Sequence, residues 1–233
     1  GEMGRELALH RLARLINQRR RAAVLVIRDD DAPRIDPCRR NSSFLECRRD
    51  DPADQQLANR GNCLVLAARG EQALREIAGR CQRDGSKAIA LRTDVAVEDD
   101  CWRLVDRALE AFGRIDVLVN NAGVSMHARF DEIADWSTYE RLWRVNCLGT
   151  IHCTRFAWPH LKAAPGKRGG QIVGVNSLAG RTGVPGRTTY CASKFAQAGF
   201  LEALRIEAAE HGIAVTVVYP GVVATGIRRR GLN

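Results

Sequence analysis

The chain has 233 residues, 45% of them apolar and 27% charged, a composition expected of a water-soluble chain with one sizeable core and not of a fibrous or disordered one. Its formal charge of +9 is spread along the sequence rather than gathered in a patch, so nucleic acid is not an expected partner. Eight cysteines occur with no Cys-x-x-Cys pair, which argues against a zinc site or a disulfide framework and for free thiols in a reducing, cytoplasmic setting, and no run approaches the roughly twenty apolar residues of a membrane span.

Residues 5–21 place Ala8, Leu12, Leu15 and Ile16 at helical spacing among many arginines, the pattern of a surface helix rather than of a membrane or nucleic-acid arm. Gly1 to Arg21 is too charged for a signal peptide. Ala22 to Ile27 is a short apolar run. Arg28 to Pro52 is polar, with Asp29-Asp30-Asp31, Arg39-Arg40 and Arg48-Arg49, and has the character of a solvated loop or of disrupted coding sequence; a regulatory insert or a metal loop around Asp29 to Asp31 is the alternative. Residues 1–60 therefore form an atypical segment, set apart from a regular domain over 61–233.

From Gly61 strands and helices alternate. Cys63 to Ala67 reads as a strand and Glu71 to Arg83 as a helix; Ala88 to Arg92 and Glu98 to Phe112 repeat the pair. Ile115 to Val119 is the next strand, followed directly by Asn120-Asn121-Ala122-Gly123. Trp136 to Leu161 is a long helical stretch with a bend near Cys147 to Gly149. Gln171 to Val175, Tyr190 to His211 and Ala214 to Tyr219 complete the alternation. Such a pattern predicts an α/β fold, a parallel sheet covered by helices on both faces. His127, His152 and His160 have no partner at metal-ligand spacing, and no metal is expected.

The chemistry gathers between Gln171 and Lys194. Ser177 stands at the carboxyl end of a strand, where open α/β sheets bind ligands. Tyr190 and Lys194 are four apart and share one helix face. A free phenol, with a pKa of about 10, is a poor acid or base at neutral pH, and a neighbouring ammonium favours its ionised form. Tyr190 then serves as a general acid/base. Ser177 can donate to a carbonyl oxygen as negative charge develops there. This is the chemistry that hydride transfer requires, and it calls for a cofactor.

Ser177, Tyr190-x-x-x-Lys194, the Asn120-Asn121-Ala122-Gly123 motif, Asn146 between that motif and Ser177, and Pro220-Gly221 followed by Thr225 resemble, in type and order, the short-chain dehydrogenases/reductases. The resemblance covers about Gly61 to Thr225. It implies a Rossmann-type doubly wound sheet in three α/β/α layers. It implies catalysis by Ser177, Tyr190 and Lys194, with Asn146 holding a water that serves a proton path; a buried Asn satisfied by backbone groups is the alternative. Cofactor contacts are implied at Asp94 and Val95 on the adenine, at Asn121, Ala122 and Gly123 close to the cofactor backbone, at Tyr190 and Lys194, at Pro220 and Gly221, and at Val223 and Thr225 on the nicotinamide carboxamide. Asp94 as a helix-start residue and Asn121 as a tie between strands remain open alternatives. A carboxylate ending the second strand selects NAD; here Ala67-Ala68-Arg69 offers a guanidinium suited to a phosphate, and NADP is expected in preference to NAD. Arg69 as a solvated turn residue is the other reading. A homodimer or homotetramer is also implied.

Two departures accompany the resemblance. The family's Thr-Gly-x-x-x-Gly-x-Gly turn, whose amides cradle the cofactor diphosphate, is nowhere in the sequence. Either Gly4 to Ala8 retains its end, with Glu2 where a glycine belongs, or Ala22 to Ile27 is the first strand and Asp54 to Gly61 the end of the first helix. The family's substrate-covering loop and last strand are not seen either. Two function classes follow: an NADP-dependent oxidoreductase acting on a secondary alcohol or ketone, or a protein of the same fold that cannot hold cofactor and acts as an interaction subunit or is an incorrectly assembled reading frame. Val124, Ser125, Met126, Leu178, Val184, Pro185 and Val222 are the expected pocket residues, mostly apolar, and favour a lipophilic carbonyl compound.

Overall fold

The computed structural model describes residues 63–162 and 169–221, together with the backbone of a strand at Ala22–Val26. The expected helix at 5–21, the polar insert at 28–52, and Val222, Val223 and Thr225 lie outside the described residues.

Among the described residues six strands form one sheet: β1 (Ala22–Val26), β2 (Cys63–Ala68), β3 (Lys87–Arg92), β4 (Val117–Asn120), β5 (Gln171–Val175) and β6 (Ala214–Val218). Their spatial order is β3-β2-β1-β4-β5-β6, and every neighbouring pair is parallel. That is the doubly wound order of a Rossmann fold, and its switch point, where ligands bind, falls between β1 and β4. Of the two readings of the N-terminal segment, the strand at Ala22 takes the central place: it pairs with β2 from Ala22↔Cys63 to Val26↔Ala67 and with β4 from Ala23↔Val117 to Val26↔Asn120. The sheet thus draws on chain from both sides of residue 60.

Alternation along the strands divides the core. Val65 and Ala67 of β2, Leu118 of β4 and Ile172 of β5 join one apolar cluster, while Leu64 and Leu66, Val117 and Val119, and Val173 join the other. Neighbouring residues on opposite faces are what a two-residue period dictates. The first face is covered by α2 (Glu98–Phe112), α4 (Gly149–Lys162) and α5 (Thr188–Ala209); the second by α1 (Glu71–Arg83). In α1 the buried set is Leu74, Ile77, Ala78 and Cys81, and in α2 it is Cys101, Leu104, Val105 and Ala108. Both follow the three-four spacing of one helical stripe. Acidic Glu98, Asp99 and Asp100 fill the first turn of α2, where the helix dipole favours them, and Gly113 ends it in the left-handed region at φ 70°.

Several element ends differ from the sequence reading by one or two residues, and two differences bear on the site. β4 begins at Val117 rather than Ile115; the carbonyl of Asp116 accepts from Gln171 N at 2.8 Å as the chain enters the sheet. The stretch expected as one bent helix over 136–161 divides into α3 (Ser137–Trp143), a π-helical turn (Arg144–Leu148) and α4. The wider turn takes up an extra residue at the position where a bend was expected.

The turn after β3 is closely held. The Asp94 carboxylate accepts from Ala96 N at 3.0 Å, and Asp94 N donates to Asp100 Oδ2 at 2.8 Å. Burial pushes the Asp100 carboxyl upward, but that amide, Arg103 and the charge of Arg92 outweigh it and hold it below the ordinary carboxylate range. Val95 is buried against Gly149, where an added Cβ would stand 2.8 Å from Val95 Cγ2 and 3.1 Å from its carbonyl oxygen.

Gly149→Ala is therefore expected to destabilise the fold by about 1–2 kcal/mol in urea melts, because the clash with Val95 exceeds the roughly 1 kcal/mol that Ala gains in a helix. For Asp100, the depressed carboxyl contributes stability that is present above its unfolded pKa of about 3.9 and is lost as pH falls through the lower folded value. Asp100→Asn should cost about 0.5–1 kcal/mol at pH 7 and progressively less below pH ~4, read from urea melts at both pH values.

Candidate functional site

The site is built at the carboxyl edge of β4, β5 and β6, where the first turns of α5 return to the sheet. Ser177 lies two residues beyond β5 with extended backbone (φ −161°, ψ 159°), and its hydroxyl accepts from Ala179 N at 3.2 Å to start a short 3-10 turn. It is half-buried. Tyr190 and Lys194 lie on the buried face of α5, with Tyr190 6% exposed and Lys194 fully enclosed. Tyr190 belongs to an apolar cluster with Met126, Ile133, Leu142, Ala179 and Cys191.

A buried ammonium must have its lost water replaced by protein acceptors. Lys194 Nζ donates to the carbonyl of Val175, the last residue of β5, at 3.1 Å and to Gln197 Oε1 at 2.9 Å. Asn176 ties the same helix to the strand. Its amide donates to Lys194 O at 2.9 Å and to Gln197 Oε1 at 3.2 Å, and its oxygen accepts from Ser177 N at 2.7 Å. Gly180 leaves room for this arrangement: a Cβ there would fall 2.1 Å from Asn176 Oδ1 and 2.9 Å from Lys194 O. Ser177 and Lys194 are thus set on one frame through Asn176.

Asn146 sits in the π turn and is fully buried. Its side chain pairs with both backbone groups of Val124, accepting from N at 2.8 Å and donating to O at 3.0 Å, and also donates to Ser193 Oγ at 3.0 Å. Ser193 in turn donates to Tyr190 O at 2.8 Å. The asparagine has the backbone-satisfied arrangement, and it fixes the loop after Asn121-Ala122-Gly123 against the helix that carries Tyr190. Asn120, the last residue of β4, donates to Thr154 Oγ1 on α4 at 3.1 Å.

The other expected cofactor residues lie along the same edge. Arg69 follows β2 directly and is half-buried, and Arg92 ends β3 in register with Ala68. Asp94 and Val95 form the turn after β3, Asn121 to Gly123 the loop after β4, and Pro220-Gly221 the exit of β6, where Pro220 O accepts from Leu178 N at 3.3 Å. Val223 and Thr225 lie outside the described residues. Of the expected pocket residues, Ser125 and Met126 are buried, at 3% and 1% exposure, while Leu178 is 49% exposed and Val184 packs on the Tyr190 cluster.

Sequence reasoning did not single out Asn176, Ser193, Gln197, Thr150 or Arg187. Arg187 donates to Ser125 Oγ at 2.6 Å and holds its guanidinium 5.6 Å from the centre of the Tyr190 ring. A signal for one of them was present: Gln197 is three residues beyond Lys194, on the same buried helix face.

Comparison with known proteins bears on the fold and the family. The sequence profile of the short chain dehydrogenase family matches residues 53–231. The chain is 41% identical over 172 residues to 11-beta-hydroxysteroid dehydrogenase-like 4A of Arabidopsis thaliana, covering 73% of this chain and 56% of that protein. It is 38% identical over 175 residues to 11-beta-hydroxysteroid dehydrogenase A of Arachis hypogaea, covering 75% and 49%. It thus spans about half the length of these curated relatives. A short chain dehydrogenase/reductase from Burkholderia phymatum, solved in complex with NAD, superposes with a TM-score of 0.71 at 27% identity, covering 91% of this chain and 70% of that one. A dehydrogenase/reductase from Sinorhizobium meliloti gives a TM-score of 0.75 at 22% identity over 94% and 78%, a likeness of fold alone. With the doubly wound sheet and the Ser-Tyr-Lys constellation at its carboxyl edge, the chain belongs to the short-chain dehydrogenase/reductase family of oxidoreductases.

Proposed function

We propose that the chain transfers hydride between NADP(H) and a secondary alcohol or ketone, with a lipophilic compound as substrate. The observation that carries the reading is the enclosed Lys194 ammonium one helical turn from Tyr190, both on the α5 face that meets the end of β5. A dinucleotide, when bound, supplies or accepts the hydride at the carbonyl carbon. The donor set suits such a cofactor along the described edge: an ammonium and a phenol beyond β5, guanidinium groups at the ends of β2 and β3, and a carboxylate at Asp94.

In reduction, Tyr190 gives its hydroxyl proton to the carbonyl oxygen as charge develops there, and in oxidation it takes that proton back. Lys194 offers a charged donor to the cofactor ribose. Ser177 donates to the same substrate oxygen and fixes its direction. Asn146 holds the loop that borders the cofactor, and in the relay reading it serves the proton path. Arg69, with no carboxylate at Ala67-Ala68, supports NADP over NAD, since a guanidinium favours the additional phosphate that a carboxylate repels. Apolar Val184 and Leu178 beside Ser177 and Tyr190 support a lipophilic substrate. We also propose a cytoplasmic homodimer or homotetramer. Trp102 on α2 and Trp143 on α3, 52% and 43% exposed, are the apolar groups that a second copy would cover.

Fluorescence titration of the full chain with NADPH and with NADH should give saturable binding at micromolar concentrations that favours NADPH, with the preference reduced about tenfold or more in Arg69→Ala. Turnover of lipophilic ketones should fall by at least about a hundredfold in Tyr190→Phe. Equal binding of the two cofactors would overturn the NADP reading, and binding of neither by a folded chain would overturn the enzyme reading in favour of a cofactor-incompetent protein of the same fold. Sedimentation should show a dimer or larger that Trp102→Glu dissociates; a wild-type monomer at tens of micromolar would remove the oligomer.

A further inference from the structure

Gln197 is fully enclosed, and no step of the proposed reaction uses it. Its amide is nonetheless committed at both ends. Oε1 accepts from Lys194 Nζ at 2.9 Å and from Asn176 Nδ2 at 3.2 Å; Nε2 donates to Thr150 Oγ1 at 2.8 Å. Thr150 Oγ1 in turn donates to the carbonyl of Asn146 at 3.4 Å. These partners admit only one orientation of the amide. Turning it over would set an NH2 group against an ammonium and leave two donors facing donors. The hydrogen-bond chain therefore runs from the ammonium through Gln197 and Thr150 to the π turn, through side chains that are each 4% exposed or less.

We propose that Gln197 is a positioning residue, the buried acceptor that fixes the Lys194 ammonium relative to Tyr190 and couples it to the Asn146 turn. The consequence for catalysis rests on the reading of Tyr190 and Lys194 given above. The geometric argument is direct. A lysine side chain has four rotatable carbons, so an enclosed ammonium can sit at several depths along one helix face. The Val175 carbonyl alone sets one direction. A second acceptor, itself held by Asn176 and Thr150, sets another and narrows the places open to the ammonium. An error of about 1 Å in such a group is sufficient to cost on the order of a hundredfold in rate.

The test compares Gln197→Leu with Gln197→Glu in the full chain. Both lose the donor to Thr150, so both should melt at lower temperature; only Glu keeps an acceptor at position 197 beside the Val175 carbonyl that remains in either variant. In 15N-lysine-labelled protein, the slowly exchanging ammonium signal assigned through Lys194→Met should persist in wild type and Gln197→Glu and vanish in Gln197→Leu. With the cofactor and ketone of the proposed reaction, kcat should fall about tenfold to a hundredfold in Gln197→Leu and stay within about threefold in Gln197→Glu, with KM for the ketone little changed in either. Retention of the ammonium signal in Gln197→Leu, or equal loss in both variants, would overturn the positioning role whatever the rates. If the wild-type chain turns over no substrate while the signal still separates Leu from Glu, Gln197 holds the ammonium and the catalytic reading is what fails.

Discussion

The structure around the site depends on keeping a positive charge away from water. Removing an ammonium from solvent costs several kcal/mol unless protein dipoles replace the lost hydration, and Lys194 is fully enclosed. Its acceptors come from the strand end at Val175 and from its own helix at Gln197. The geometry of those acceptors is imposed further out, by Asn176 bridging strand and helix and by Thr150 anchoring the amide from α4. One charge thus draws on polar groups from three elements, β5, α5 and α4, whose apolar side chains already share one core cluster.

The same economy applies to the loops. Asn146 satisfies both backbone groups of Val124 and caps the Ser193 hydroxyl, so the segment after β4 cannot move without breaking contacts to α5. The π turn is what aims Asn146 and Thr150 together. Wider winding over Arg144–Leu148 shifts the helix face by a residue, so that the side chain of one and the hydroxyl of the other both meet the helix carrying Tyr190. On the far side of the sheet switch, the Asp94-Asp100 pairing performs the corresponding service for the turn after β3.

Much of this was legible in the sequence because its signals are local. The stripes of α1 and α2, the short apolar runs of β2 and β5, and Tyr190-x-x-x-Lys194 announce themselves through period and spacing. The partner of Lys194 did not, because Gln197 is significant only once Val175, Asn176 and Thr150 are known to surround it. Met126 carries a weaker signal, because an apolar residue just after a motif serves equally as pocket wall or core, and its packing on Ile133 and Leu142 appears only in the structure. The place of Ala22–Val26 was one of two possible registers, since a five-residue apolar run carries no information about its neighbours.

That strand has a consequence for how the molecule assembles. Every pairing in the sheet is parallel, and β1 joins positions as distant along the chain as Val24 and Leu118. Its neighbours on the two sides, β2 and β4, are separated along the chain by α1, β3 and α2. Until β1 is seated, β2 and β4 each present an open edge of the kind that pairs readily with foreign chains. Sheets of this high contact order form slowly. Seating the central strand is accordingly the step that closes both open edges and removes the surface on which such chains aggregate.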